Sequence, residues 1–455
     1  MSKIRNILSL LVMAVLTAAC GGGGKSEDAV RPLPDTLRVA TLYSPASYFH
    51  YRDENMGFDY SLVSALAREK GMELDLTVAP SLAKALDMLD SGRVDLVAYE
   101  VPVTAESKRR VVFTGPENYT HQVLVQPRGD SVVRDVTGLV GKDIYVPADS
   151  KYYHRLRNLD SELGGGIHIH AVDPDSITEE DLLDRVASGE LPMTVVDSDI
   201  AKLNKTYYPG LDITLALSFD QQSRWAVSPA KAWLADSISA YFGGEAPRRA
   251  VNMEYRRYYE QSKAMPGPLT MGFSGGKISQ YDDLFRKYSD AAGEDWRLLA
   301  AMGYVESGFD PGLVSWAGAR GIMQIMPSVA QGHGVSPGAL ANPETSVKLA
   351  ADIISSLETS LAKYVSDPDE RRLFKLAAYN SGIAHILDGI ALARKYGMDP
   401  QKWYGNVEKA VLMESRPEYY NDPVVKYGYF RGRQTTEYVR KVTEFYKLAS
   451  KSVGK

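Results

Sequence analysis

The stretch LDMLDSGRVDLVAYE (86–100) sets the fold of the first half of the chain. It holds the end of an amphipathic helix, a Ser-Gly stop and an apolar run that reads as a buried strand. LLDRVASGELPMTVVDS (182–198) repeats that order. The echo fits two similar lobes, and it fits equally a common helix–turn–strand unit used twice. Outward from it, TLRVATLY (36–43) and MELDLTVA (72–79) read as strands, and FDYSLVSALAREKG (58–71) as a helix stopped by Gly71. Strand–helix alternation of this kind predicts an α/β fold with mainly parallel pairing from residue 36 to about 260.

SKAMPGPLTMGFSGGK (262–277) is rich in Gly, Pro and Ser and reads as a linker. Beyond it the period changes. YDDLFRKYSDAAG (281–293), SVKLAADIISSLETSLAKYV (346–365) and TEYVRKVTEFYKLAS (436–450) carry apolar residues at helical spacing. A second, mostly α domain is expected over 278–455. The chain totals 455 residues, with 57 acidic and 52 basic side chains and a net charge of -5. That balance argues against general nucleic-acid binding, which needs a basic footprint. The single cysteine excludes an internal disulfide framework and a multi-cysteine zinc site. No cofactor or metal is expected.

DWRLLAAMGYVES (295–307) predicts a helix ending at Gly308. Counting back from Glu306 reaches Met302, Gly303 and Leu299, so its carboxyl lies on or beside the apolar stripe. Burial there raises a carboxyl pKa, as a general acid requires. Gly303, one turn back, is expected to leave open space beside it. A Glu at a helix end can equally reach solvent.

LLAAMGYVESGFDPGLVSWAGARGIMQIMP (298–327), then LAAYNSG (376–382), resembles the lytic transglycosylase family of the lysozyme-like superfamily. Asn-Pro-Glu (342–344) and Glu-Tyr-Val (437–439) fit the same pattern, and Ile322 stands where the family has Leu. The resemblance implies that Glu306 is the single catalytic acid/base acting on peptidoglycan glycan strands. It implies substrate contacts from Ser307, Met323, Gln324, Tyr379, Asn380 and Tyr438. The implied reaction cleaves the bond between N-acetylmuramic acid and N-acetylglucosamine without water, leaving a 1,6-anhydro end. Plainer readings coexist: Asn380-Ser381-Gly382 is an ordinary helix stop, and Tyr438 shares a stripe with Val442 and Phe445. A lysozyme-type hydrolase would need a second carboxylate, for which Asp282, Asp283, Asp310 and Glu344 are candidates. A binding receptor or scaffold with an inactive helical domain is the remaining alternative.

The first half, over 36–261, resembles the type 3 solute-binding family. That implies a periplasmic-binding-protein-like domain of two lobes, the second at about 121–209, around a ligand cleft. Asp197, in Val-Val-Asp, matches a position that binds an α-amino group. The family's carboxylate-clamping Arg is replaced here by Ser107, in Thr-Ala-Glu-Ser (104–107). A hydroxyl cannot replace a bidentate guanidinium, so the expected occupant shifts from a free amino acid toward a small peptide or muropeptide, with an empty regulatory or docking domain as the other reading. Arg109 and Arg110 read as a solvated face.

The N-terminus has a short basic head, Lys3 and Arg5, an apolar run over 7–19 and then Ala-Ala-Cys20. This resembles a bacterial lipoprotein signal, with Thr17 where Leu is usual. It implies a signal over 1–20, lipidation at Cys20, a tether over 21–35 and a periplasm-facing place on the membrane, the outer one favoured. A plain secretory signal is the other reading. No later segment is apolar for the ~20 residues a span needs.

Overall fold

The computed structural model describes residues 33–173, 177–263 and 276–454. The leader, Cys20 and the tether up to residue 32 lie outside the described residues, as does most of the 262–277 linker.

Two five-stranded sheets form the first half. The first runs Glu73–Val78, Thr36–Thr41, Leu96–Pro102, Gln221–Val227, Val112–Thr120. The second runs Leu211–Asp212, Gln122–Pro127, Thr194–Asp197, Asp143–Pro147, His168–Val172. The two echoed segments take equivalent places. Helix Leu82–Asp90 feeds the central strand of the first sheet, and helix Glu179–Ala187 feeds that of the second. Their strand residues Leu96, Val97, Val195 and Val196 are fully buried, as expected of strands covered on both faces.

Pairing is parallel among the helix-connected strands, but Val112–Thr120, Gln122–Pro127 and Gln221–Val227 pair antiparallel. These strands carry the chain between sheets, so no helix crossover imposes a direction on them. The second lobe also extends beyond the expected 209. Leu211–Asp212 pairs with Gln122–Pro127, and Leu217 N–H bonds the Gln122 carbonyl. The apolar side chains of LDITLAL (211–217) keep the chain on this sheet until Ser218.

Helices dominate after residue 276, as the period predicts. Trp296–Ser307 lies against Arg433–Ser452 and Asp282–Ala292. Their apolar faces build one core with Phe285, Leu299, Met302, Phe374, Trp403 and Phe445. A separate aromatic cluster joins the two halves: Phe49, Tyr258 and Tyr259 from the first meet Trp316, Met326 and Tyr429 from the second.

Candidate active site

Helix Trp296–Ser307 starts at an Asp295 cap, whose carboxylate accepts the Arg297 N–H, and ends where Gly308 turns left-handed. Glu306 is its penultimate residue and faces inward, its side chain 5% exposed. The expected space beside Gly303 is filled. A Cβ there would meet Phe285, the Met323 sulfur and Phe309 at 3.1–3.4 Å, so glycine permits close packing rather than an opening.

The segment 313–326 folds over Glu306 through bridges Val314–Arg320 and Arg320–Ile325. Gly321 lies so near Leu340 that a Cβ would fall 2.0 Å from its carbonyl oxygen. Gln324, at φ 47, places its carbonyl in the site, while its amide nitrogen donates to Leu313 and Gly321 carbonyls at 3.1 and 2.9 Å. Met323 is fully buried, and its carbonyl accepts the Tyr379 hydroxyl at 2.8 Å. The Ser307 hydroxyl is directed to the Ile322 and Gly303 carbonyls, tying helix to loop rather than facing the carboxyl. Asn380 accepts the Thr435 hydroxyl at 2.8 Å. The Tyr438 hydroxyl lies beside Glu306, shielded from solvent and without a hydrogen bond of ordinary geometry. The structure thus brings Glu306, Gln324, Asn380 and Tyr438 onto one cavity of about 470 Å³. Ser307, Met323 and Tyr379 support it through backbone contacts.

Arg52 also lines that cavity, and nothing in its local sequence marked it. It sits at the tip of a hairpin between strands Phe49–Tyr51 and Glu54–Met56 in the first half. Both tip residues are left-handed, Arg52 at φ 50 and Asp53 at φ 60. Non-glycine residues resist that region, so contacts must hold the tip in place. Arg52 Nη2 lies 3.0 and 3.3 Å from the two Glu306 oxygens. Its Nε donates to the Asn380 carbonyl at 2.9 Å, and Nη1 to the Gln324 carbonyl. The Asp53 carboxylate accepts the Ile383 and Ala384 N–H groups at the start of helix Ile383–Lys395. A favourable dipole end thus meets a negative charge. Gly382 makes room, since a Cβ there would fall 2.5 Å from an Asp53 oxygen.

Two opposed effects act on Glu306. Burial raises its pKa above the carboxylate range, and the Arg52 cation pulls it back, leaving a net upward shift. The other acids weighed for the site lie elsewhere. Asp282 caps Ile278 and Ser279, Asp310 binds the Gly312 N–H, and Glu344 pairs with Lys287. Among the described residues, Glu306 is the only carboxylate lining its cavity.

Asp197 and Ser107 lie in the first half, away from this cavity. Asp197 ends its strand, lines a second cavity between the sheets and pairs with Lys151. The Ser107 hydroxyl donates to the Pro102 carbonyl at 2.6 Å and does not line that cavity.

Comparison with known proteins finds two family matches along the chain, which overlap at 283–287. Residues 283–401 match the transglycosylase SLT domain, and 37–287, more than half the chain, match the bacterial extracellular solute-binding proteins, family 3. A protein of Ectopseudomonas mendocina called membrane-bound lytic murein transglycosylase F is 30% identical over 98% of this chain and 91% of its own length. The chain belongs to the membrane-bound lytic murein transglycosylase F family. A Desulfosudis oleivorans protein of the same name is 29% identical over 90% of this chain and 89% of its own. Among solved structures, the unliganded, open L-cystine solute receptor of Neisseria gonorrhoeae covers 50% of this chain and 94% of its own at 17% identity, TM-score 0.43. Tyr438 and Thr435 fall beyond the residues matched to the transglycosylase domain.

Proposed function

We propose that this lytic murein transglycosylase cleaves glycan strands with Glu306 as its single acid/base, and that its solute-binding-like half holds the site closed. Cleavage begins with Glu306 protonating the glycosidic oxygen between N-acetylmuramic acid and N-acetylglucosamine. The carboxylate then takes the proton of the muramic C-6 hydroxyl as that oxygen closes on C-1, giving a 1,6-anhydro end. The substrate's own N-acetyl group stabilises the positive charge at C-1. One observation carries this reading: a buried carboxyl, raised in pKa, with no second carboxylate on its cavity among the described residues.

The closed state follows from Arg52. Its guanidinium occupies the space before Glu306 and favours the ionised carboxylate, the wrong form for a general acid. Withdrawing the hairpin opens the cavity and removes that downward pull in one step.

The halves (36–261 as sensor, 278–455 as catalyst) are also coupled at the second lobe. Helix Glu179–Ala187 is clasped from the catalytic half. Tyr429 donates to Glu180 at 2.8 Å, and Arg433 binds Asp184 at 2.6 Å. Movement of this lobe around a small ligand, such as a peptide or muropeptide, would strain that clasp and free the hairpin. Among the described residues no helix is long and apolar enough to cross a membrane, and the relatives are named membrane-bound. We assign the attachment to a lipid on Cys20, with the outer membrane as its place. The test is release of soluble muropeptides from purified sacculi by the parent chain, Arg52→Ala and Arg52→Ala/Glu306→Gln. Release by Arg52→Ala that the added Glu306→Gln abolishes supports the assignment, and equal release by both overturns it.

A further inference from the structure

The cavity between the two sheets measures about 200 Å³, and its charged lining is wholly acidic: Asp59, Glu100, Asp197 and Asp199. Tyr99 and Tyr259 add aromatic walls, and among the described residues no Lys, Arg or His lines it. Asp59 is 6% exposed and fixed at the floor by the Ser47 hydroxyl at 2.5 Å and the Trp225 indole N–H at 2.7 Å. Glu100 accepts the Asn118 amide at 2.6 Å. Oδ1 of Asp199 is fully shielded from solvent and receives no N–H or hydroxyl donor. A buried carboxylate oxygen without a donor is costly unless something arrives to satisfy it.

One cation approaches from the rim: Lys151, half-exposed, pairs with Asp197. Three of the four lining carboxyls are left with no positive partner. Their electrostatics agree with an incomplete site. Burial raises Glu100 and Asp199, the Asp199 and Asp59 charges add to Glu100 and the Asp197 charge to Asp199, and the Glu100 and Asp199 carboxyls hydrogen-bond each other; burial lifts Asp59 to about 6, and Glu179 behind them rises to about 7. Apart from Lys151, which Asp197 already engages, no described Lys, Arg or His lines the cavity to pair with a ligand carboxylate. The Ser107 hydroxyl is used on Pro102, and Arg110 is held at the surface by Asp87 and Asp90.

We propose that this cavity binds a small organic dication, with two ammonium groups and no free α-carboxylate, of the class of diamines and basic amino-acid amides. The proposal rests on reading the two-lobed half as a sensor, and it replaces the peptide or muropeptide as occupant with a smaller ligand defined by its positive charge. One ammonium sits between Asp197 and Asp199 and donates to Oδ1 of Asp199. The other sits between Asp59 and Glu100. The Tyr99 and Tyr259 rings flank the carbon chain, and ring faces also attract cations.

Isothermal titration of the full chain with cadaverine, lysinamide, glutamate and calcium chloride tests it. Cadaverine and lysinamide are expected to bind, glutamate is not, and Asp199→Asn or Glu100→Gln is expected to weaken the amines at least tenfold. Each variant must match the parent in circular dichroism and melting temperature to count. Binding of glutamate, or of no amine, overturns the proposal, as does amine binding that neither variant weakens. Calcium binding reversed by a chelator, without amine binding, assigns the site to a metal and overturns it too. Sacculus digestion by Arg52→Ala is scored separately. Digestion without amine binding sinks the dication site alone, and amine binding without digestion sinks the transglycosylase reading alone.

Discussion

Replacing Arg52 by Ala should convert a closed enzyme into an open one. In the closed form this side chain makes the ion pair with Glu306 and donates to the Gln324 and Asn380 carbonyls, at 8% exposure. Breaking a buried ion pair from one side costs about 3–5 kcal/mol, because the remaining charge is left unpaired. Glu306 escapes part of that cost by taking up a proton, which its raised pKa already favours. About 3 kcal/mol is therefore a fair figure for the loss of docking energy. At 1.4 kcal/mol per tenfold, that shifts the closed–open equilibrium by roughly 150-fold. The assay is the initial rate of muropeptide release from sacculi with no added ligand. Arg52→Ala should exceed the parent by one to two orders of magnitude (roughly, from that shift) until the open form saturates. Arg52→Lys, which keeps the charge but has one nitrogen where Nε, Nη1 and Nη2 reach separate acceptors, should fall between. Equal rates for parent and Arg52→Ala, with both proteins folded, would refute the reasoning that the hairpin closes the site.

Other substitutions probe neighbouring contacts. Asp53→Asn keeps an acceptor at the Ile383–Lys395 helix start but loses the charge, about 0.3–1 kcal/mol, so ligand-free release should rise less than tenfold in the same assay. Tyr379→Phe removes the donor to the Met323 carbonyl and should lower stability by about 1–2 kcal/mol in urea unfolding, with kcat falling as the 313–326 loop loosens. Lys263, 5% exposed near Trp316, has its pKa lowered to about 7 by burial and by Arg431 and Arg257. The unfolded chain binds this proton up to about pH 10.4 and the native one releases it near 7, so stability should climb as pH rises through that window. The slope is at most about 1.4 kcal/mol per pH unit from this group. Lys263→Met should remove that component, and an unchanged slope in pH-dependent denaturation would contradict it.

The α/β and helical halves were legible because hydrophobic period carries through to packing. Glu306 needed the motif around it to be legible, because its place on the apolar stripe left a solvent-facing reading open; in the structure that place becomes real burial. Arg52 was not legible. Its partner lies 254 residues away, and Tyr-Arg-Asp-Glu (51–54) lacks the Gly or Asn that usually announces a left-handed hairpin tip. Ser307 and Gln324 were read as facing sugar, yet their polar atoms largely bind backbone. A motif names residues but not where their hydroxyl or amide groups point. Tyr438 reconciles its two readings, since it is 1% exposed in the core and still reaches Glu306. The antiparallel linking strands were missed because a single-strand pattern does not encode pairing direction.

The most direct test of the single-carboxyl mechanism is digestion of murein by Arg52→Ala in oxygen-18 water, read by mass spectrometry of the muramic ends. Transfer to the sugar's own C-6 hydroxyl predicts ends lighter by one water and free of label, all lost with the added Glu306→Gln change. Reducing ends carrying one labelled oxygen per cut would mean that water attacks, and would contradict the account.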